Sequence, residues 1–374
     1  MPSPVDAVVA AVSAEIEDLL AVPVVRLEEL DGHPWVLRAH LADGSPVIVK
    51  RLRPGGYGLR SAAELMRCER AALELLDKDL GLAHLGPRLL AAEPDTQMLV
   101  IEDLAPRTEL ARLLRHNGLT PELDDRLTDF AAAEGEIAAA SASRAADFAT
   151  RRAELGSPAQ ELGDGEHAWT GLWRTAPERA AEFGVPMPDA AERDLRAAGA
   201  ELAEPGPFLA FTNGDPEANN YLTMPDGDGR LIDFEGAGFR HALTAAAGFT
   251  VPGSLWMAVC GERQIAAFRT ALARGVPEAE DDRRFGFGLA SAAVVWTAIR
   301  SNGLRKREAR EPGDDSRIQL VAGLEAGART ADAYGVFPHF AAWCRSTAEV
   351  LRRCWPDTDV DTAVIAPYTW RSRP

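Results

Sequence analysis

The stretch Asn213-Gly214-Asp215-Pro216-Glu217-Ala218-Asn219-Asn220, followed at 231–234 by Leu-Ile-Asp-Phe, decides how this chain is read. Between the two lie an apolar run, Tyr221 to Met224, and a turn cluster, Pro225-Asp226-Gly227-Asp228-Gly229. Asp-Gly flanked by strand residues predicts a hairpin with Asp226 and Gly227 as its two central turn residues. Asn220 and Asp233 then face each other across the ladder, with Cβ atoms about 5 Å apart on one face. A turn at Asp228-Gly229 would slip the pairing and remove that geometry. An amide oxygen and a carboxylate aimed at one point, with Asp215 on the preceding loop, form an oxygen-rich site of the kind Mg²⁺ favours. The competing reading is a hairpin with a polar solvent face.

Further towards the N-terminus, Val47-Ile48-Val49-Lys50 reads as an apolar strand ending in a lysine. On its own such a lysine is solvated. The following helix, expected over 61–78, gives it a partner. Ser61 and Glu64 form an S-x-x-E capping box, so Glu64 has a local role at the helix start. Glu69 has none: at 100° per residue it falls among Leu65, Ala72, Leu73 and Leu76, inside the apolar stripe. A carboxylate there faces the sheet, and burial without a partner costs several kcal/mol. Lys50 is the nearest cation in sequence. The alternative is a stripe that ends early and leaves Glu69 at its margin.

Around these signals the chain divides in two. An amphipathic helix is expected first (Val5, Val8, Val9, Val12, Ile16, Leu19), with Ser3 as N-cap and Pro4 at its first position. Strands are expected at 22–30, 35–41 and 46–52, separated by Asp31-Gly32 and Asp43-Gly44, and after the helix at 88–92 and 98–104. Beyond Leu104 the segments 107–116, 121–155, 187–203, 262–274, 285–303 and 317–352 are helical in pattern, broken by one strand-turn-strand over 208–234. The expected fold is α+β: a small antiparallel-sheet lobe with one helix over 1–104, and a larger, mainly helical lobe over 105–374.

Composition narrows the function classes. The 374 residues are 46% hydrophobic and 26% charged, too apolar for disorder and too mixed for a fibre. Forty basic against 57 acidic residues give a net charge of −17, which disfavours nucleic acid and anionic lipid as partners. Within that acidic chain, Lys50, Arg51, Arg53, Arg60, Arg67 and Arg70 form a basic island, a place to look for bound phosphate. The uncharged run from Phe285 to Ile299 is shorter than the roughly 18 residues of a membrane span. No basic flank marks the N-terminus as a secretory signal. Four cysteines (Cys68, Cys260, Cys344, Cys354) are too sparse for a disulfide scaffold, so a reducing, cytoplasmic setting is expected. Trp256, Trp296 and Trp343 read as core residues, His241 as packed or capping, and Glu278 to Asp282 as a solvated loop.

Taken in order, V-I-V-K at 47–50, Glu69 followed by A-A-L-E-L-L, L-V-I-E-D-L at 99–104, N-G-D-x-x-x-x-N at 213–220 and I-D-F at 232–234 resemble the aminoglycoside phosphotransferase and choline kinase-like family, which shares the bilobal protein-kinase fold. The resemblance spans about Val22 to Phe239. It implies ATP (GTP as the alternative) and Mg²⁺ as cofactors, and transfer of the γ-phosphate to a hydroxyl of a small molecule by a monomer or homodimer. It assigns Lys50 to the α- and β-phosphates, braced by Glu69. It assigns backbone groups of Ile101, Glu102, Asp103 and Leu104 to the adenine edge, Asn220 and Asp233 to the metal, and Asp215 to the attacking hydroxyl. The absence of G-x-x-x-x-G-K-[ST] disfavours a Walker-type ATPase.

Three departures stand out. Asn213 replaces the family's histidine and is expected to brace the loop in its place. The run from Glu235 to Thr244 lacks two acidic positions usual after the metal Asp. Finally, no G-x-G-x-x-G precedes Lys50, which leaves Asp31-Gly32-His33-Pro34 as the candidate phosphate cover and Gly55 to Gly58 as a connection. The rival readings are a kinase acting on a peptide or natural-product precursor, and a catalytically silent binding module.

Overall fold

The computed structural model describes residues 4–30, 33–52, 55, 61–93, 98–156, 171–251, 261–312 and 315–359. Expectations at Ser3, Asp31-Gly32, Gly56 to Gly58, Arg53, Arg60 and Trp256 fall outside them. Helix α1 (Pro4–Leu20) leads into strands β1 (Val24–Leu30), β2 (His33–Leu41) and β3 (Pro46–Arg51). Helix α2 (Ala62–Glu74) follows, continued by a π-turn over Leu75–Asp79, and then β4 (Leu89–Glu93) and β5 (Met98–Glu102). The five strands form one antiparallel sheet in the order β1-β2-β3-β5-β4. Its ladders place Lys50 opposite Val36 on one side and Leu99 on the other, in the middle of the sheet. Alternate β3 residues Val47 and Val49 face the buried side with Ile16 of α1, as a period of two requires.

The remainder is helical: α3 (Leu110–Asn117), α4 (Pro121–Ser141), α5 (Ala145–Glu154), α6 (Ala176–Phe183), α7 (Asp189–Ala203), α8 (Glu262–Leu272), α9 (Asp282–Ser301), α10 (Leu304–Glu308), α11 (Asp315–Ala333) and α12 (Pro338–Cys354). The class is α+β, as expected: a five-stranded antiparallel sheet with α2, followed by a mainly helical remainder. Two long helical segments expected from the sequence are each split. The first is cut at Ser143, whose φ is +74°; the second is cut around Gly335 (φ +66°), where Asp194 caps the backbone N–H groups of His339 and Phe340 at 2.8 and 3.0 Å.

Embedded among the helices, β7 (Leu209–Thr212) pairs with β10 (Gly238–His241), and β6 (Thr108–Glu109) pairs with the hairpin of β8 (Tyr221–Thr223) and β9 (Gly229–Leu231). The hairpin corrects the expected register. Tyr221 pairs with Leu231 and Thr223 with Gly229, and Met224 N–H bonds to Asp228 O at 3.0 Å. The loop therefore holds three residues, Pro225-Asp226-Gly227, with Gly227 at φ +100° as the left-handed residue of a bulged turn. Asn220 bonds through its carbonyl to Ile232 N–H at 2.9 Å, so Asn220 and Asp233 are not cross-strand partners.

Helix α2 is fastened to the helical part of the molecule. Ser61 caps it by accepting from Glu64 N–H at 3.2 Å. The Glu64 carboxylate goes further than a capping box: it is buried and pairs with Arg67 and, at 2.8 Å, with the buried Arg152 of α5. Arg151 adds bonds to Glu74 (3.0 Å) and Asp79 (2.5 Å), and the Cys68 thiol donates to Ala237 O at 3.0 Å.

Candidate active site

Lys50 Nζ lies 2.5 Å from Glu69 Oε1 and 3.0 Å from Asp233 Oδ1. Burial alone would favour loss of the lysine's proton, but the charges of Asp233 and Glu69 outweigh it and raise its proton affinity above the ordinary value. Burial pushes the Glu69 carboxyl upward and the ammonium opposes it. With Glu69 only 1% exposed, the charged pair is the form that satisfies both groups. Asp233 itself sits in the left-handed region (φ 63°, ψ 60°), a conformation that Asp tolerates better than most residues. The fully buried Phe234 anchors the turn that follows it.

The loop from Asn213 to Asn220 holds itself together. Asn213 accepts from Asp215 N–H (3.1 Å) and donates to Asp215 O (3.2 Å), so it braces the loop. Asn220 Nδ2 donates to Asp215 O at 3.0 Å and Oδ2 at 3.1 Å, while its Oδ1 accepts from Asn219 at 2.9 Å. This loop and the one after Asp233 touch at Gly214. With φ +86°, a Cβ there would lie 2.1 Å from Gly236 O, so only glycine permits the approach. Arg240, buried on β10, donates to Thr212 Oγ1 (3.1 Å) and Gly236 O (3.0 Å) and spans both loops.

Lys50, Glu69, Asn220 and Asp233 line one cleft of about 750 Å³ between the sheet and the helices; Ile101, Glu102, Asp103 and Leu104 line it too. Asp215 is exposed and is not among the residues that line this cleft; its loop enters the lining through Asn219 and Asn220. Burial and the nearby charge of Glu217 lift its carboxyl to about 6, with Asp233 and Glu235 adding to the effect and the Asn220 bond opposing it.

Among the described residues no three His, Cys, Asp or Glu side chains are arranged to hold a metal unaided. The donor set is one amide and one carboxylate beside a lysine. This suits a hard cation that takes its other ligands from phosphate and water.

No protein-family model and no curated protein sequence matches the chain. Solved structures do. Choline kinase LicA from Streptococcus pneumoniae is 15% identical, with 86% of this chain and 99% of that one covered at a TM-score of 0.46. An aminoglycoside phosphotransferase from Alicyclobacillus acidocaldarius is also 15% identical (89% and 96%, TM-score 0.45). A putative fructosamine-3-kinase from Thermobifida fusca is 20% identical (79% and 99%, TM-score 0.44).

Around the cleft, some expected residues take the places read from the sequence and others take partners that no local pattern shows. Of the backbone groups expected at the adenine edge, Glu102 N–H is taken by Arg88 O (2.9 Å) and Leu104 O accepts from Arg107 N–H (3.1 Å). The Asp103 side chain is buried against Arg38, with contacts at 2.5 and 3.2 Å, and accepts from Ala105 N–H at 2.9 Å. Of the described members of the basic island, Lys50 and Arg51 line the cleft, while Arg67 pairs with Glu64 and Arg70 with Glu74. His241 is fully buried, stacks on Phe208 and accepts from Leu243 N–H at 3.3 Å. Trp343 is core, with its indole bonded to Val185 O at 3.2 Å. Asp281, expected in a solvated loop, caps α9.

The most consequential omission is Glu134. It is 1% exposed on α4, and burial, followed by the charge of Asp215, lifts its carboxyl to about 8 against the pull of Arg240. The signal that found Glu69 was present here too: Leu127, Phe130, Ala131, Ile137 and Ala138 make an apolar stripe that Glu134 interrupts.

Proposed function

We propose that this protein is an ATP- and Mg²⁺-dependent phosphotransferase that moves the γ-phosphate to a hydroxyl of a small molecule such as an aminoglycoside, an aminosugar or an amino alcohol. One observation carries the reading. Lys50, Glu69 and Asp233 form a single charged cluster, the turn after Asp233 meets the loop that carries Asp215 at Gly214, and Asn220 of that loop lines the same cleft as the cluster. An inert hairpin with a polar face has no reason to recruit a buried lysine–glutamate pair from a distant sheet.

Phosphoryl transfer depends more on positioning and on cations against spread negative charge than on covalent help. Lys50 is held ready by Glu69 and shares its ammonium with Asp233; with nucleotide in place that shared bond is the one free to turn to phosphate. Asn220 and Asp233 would hold the Mg²⁺, which supplies charge neutralisation at the phosphates when bound. Asp215 accepts the hydroxyl proton. At about 6 its carboxyl is ionised at neutral pH, and a loose transition state asks little more of it. Glu217, Asp233 and Glu235 surround Asp215 with negative charge, which favours an acceptor carrying an amine. The test is a coupled ADP-release screen over sugars, aminoglycosides and amino alcohols, with Asp215→Asn as the blank. Release that persists in that variant, or occurs with no acceptor in the wild type, refutes the reading.

A further inference from the structure

Among the described residues, Glu134 is a deeply buried acid near the site that the proposed chemistry leaves without a task. Its position is closely determined. Gly135, next to it, packs so tightly on α8 that a Cβ would lie 2.5 Å from Phe268 O, which fixes the rotation of α4. Further along α4, Ser141 Oγ accepts from Phe211 N–H at 2.9 Å and ties the same helix to β7, the strand that runs into the Asp215 loop. On the helix held by these anchors Glu134 is buried, and neither of its carboxyl oxygens has a hydrogen-bond partner among the described residues. The charged groups that face it are Asp215 and Arg240.

Resting on the phosphotransfer reading, we propose that Glu134 is a positioning residue: a buried carboxylic acid that stays protonated, so that it adds no second carboxylate charge beside Asp215. The step it serves balances without it. The acceptor O–H gives its proton to Asp215 as the new oxygen–phosphorus bond forms and the bond from the γ-phosphorus to the bridging oxygen of ADP breaks. Glu134 keeps its own proton throughout. Were it ionised, its charge would repel the incoming phosphates and hold the transferred proton on Asp215.

The test is infrared difference spectroscopy of the full chain as a function of pH, comparing the wild type with Glu134→Gln and Asp215→Asn. The expected result is a protonated-carboxyl band at neutral pH that Glu134→Gln removes. In Asp215→Asn the band should titrate away at a pH lower by roughly half a unit or more, because the Asp215 charge helps to retain that proton. A band missing at neutral pH, or a midpoint that Asp215→Asn does not move, overturns the proposal. A role in packing alone would leave that midpoint where it is. Turnover gives a second readout: Glu134→Gln should abolish a decline that the wild type shows above about pH 8, and a decline that survives the substitution refutes the role. If the chain transfers phosphate to no acceptor, the phosphotransfer reading fails, while the band and its midpoint still report on Glu134.

Discussion

Glu134 also makes a prediction about stability that needs no substrate. An acid whose folded-state value lies above its unfolded one binds a proton in the folded chain that the unfolded chain has released. The folded state therefore loses stability as pH rises from the unfolded value to the folded one. For Glu134 that window runs from 4.5 to about 8. At about 1.4 kcal/mol per pH unit the penalty accumulates to about 5 kcal/mol, a large fraction of the 5–15 kcal/mol of net stability typical of a folded domain. Glutamine has nearly the same shape and never ionises. The stability of Glu134→Gln relative to the wild type should therefore rise by about 1.4 kcal/mol per unit across the window and level off above about pH 8. Urea unfolding of both proteins at a series of pH values measures the difference directly, and contributions from other titrating groups cancel in it. A gap that stays constant with pH would mean that Glu134 ionises alike in folded and unfolded chains, and the reasoning from its burial would be wrong.

The remaining predictions concern the cleft. Asp215→Asn should abolish transfer while nucleotide still binds, and wild-type kcat/KM should fall as pH drops through about 6, the pH at which the base takes up its proton; turnover surviving in the variant, or a flat acid limb, would remove the assigned role. Lys50→Ala should raise the KM for nucleotide at least about tenfold by losing a charge-assisted contact, and a normal KM would place the phosphates elsewhere. Gly214→Ala should cost at least about 2 kcal/mol in unfolding free energy and most of the activity, because its Cβ meets Gly236 O at 2.1 Å on a left-handed backbone; a stable, active variant would show that the two loops do not touch.

How far the sequence could be read depended on the kind of signal. Strands β1 to β5 and helix α2 are written in simple periodicities, and Glu69 betrayed its partner by standing in an apolar stripe. The hairpin failed by one residue because Asp226-Gly227 serves equally as the centre of a two-residue turn or the end of a three-residue bulged one. Only tertiary packing, with Arg126 against Gly227, distinguishes them. Even so, Asp233 reaches Lys50, because its own left-handed backbone, rather than strand pairing, aims the side chain. Glu64 was read locally, yet it answers to Arg152, 88 residues away in the chain. No local pattern announces such a partner. Strand β10 is four residues long and, among the described residues, pairs with β7 alone, and it is too short to stand out from the helical sequence around it.

The proposed function requires the Lys50–Glu69–Asp233 cluster and the Asp215–Asn220 loop to form one receptor for a metal-bound nucleotide. Calorimetric titration of a non-hydrolysable ATP analogue, with and without Mg²⁺, into the wild type and Asp233→Ala tests it most directly. The claim predicts binding that Mg²⁺ strengthens in the wild type, and loss of that strengthening in Asp233→Ala. Binding that is equally tight without the metal, or unchanged by the substitution, would contradict it.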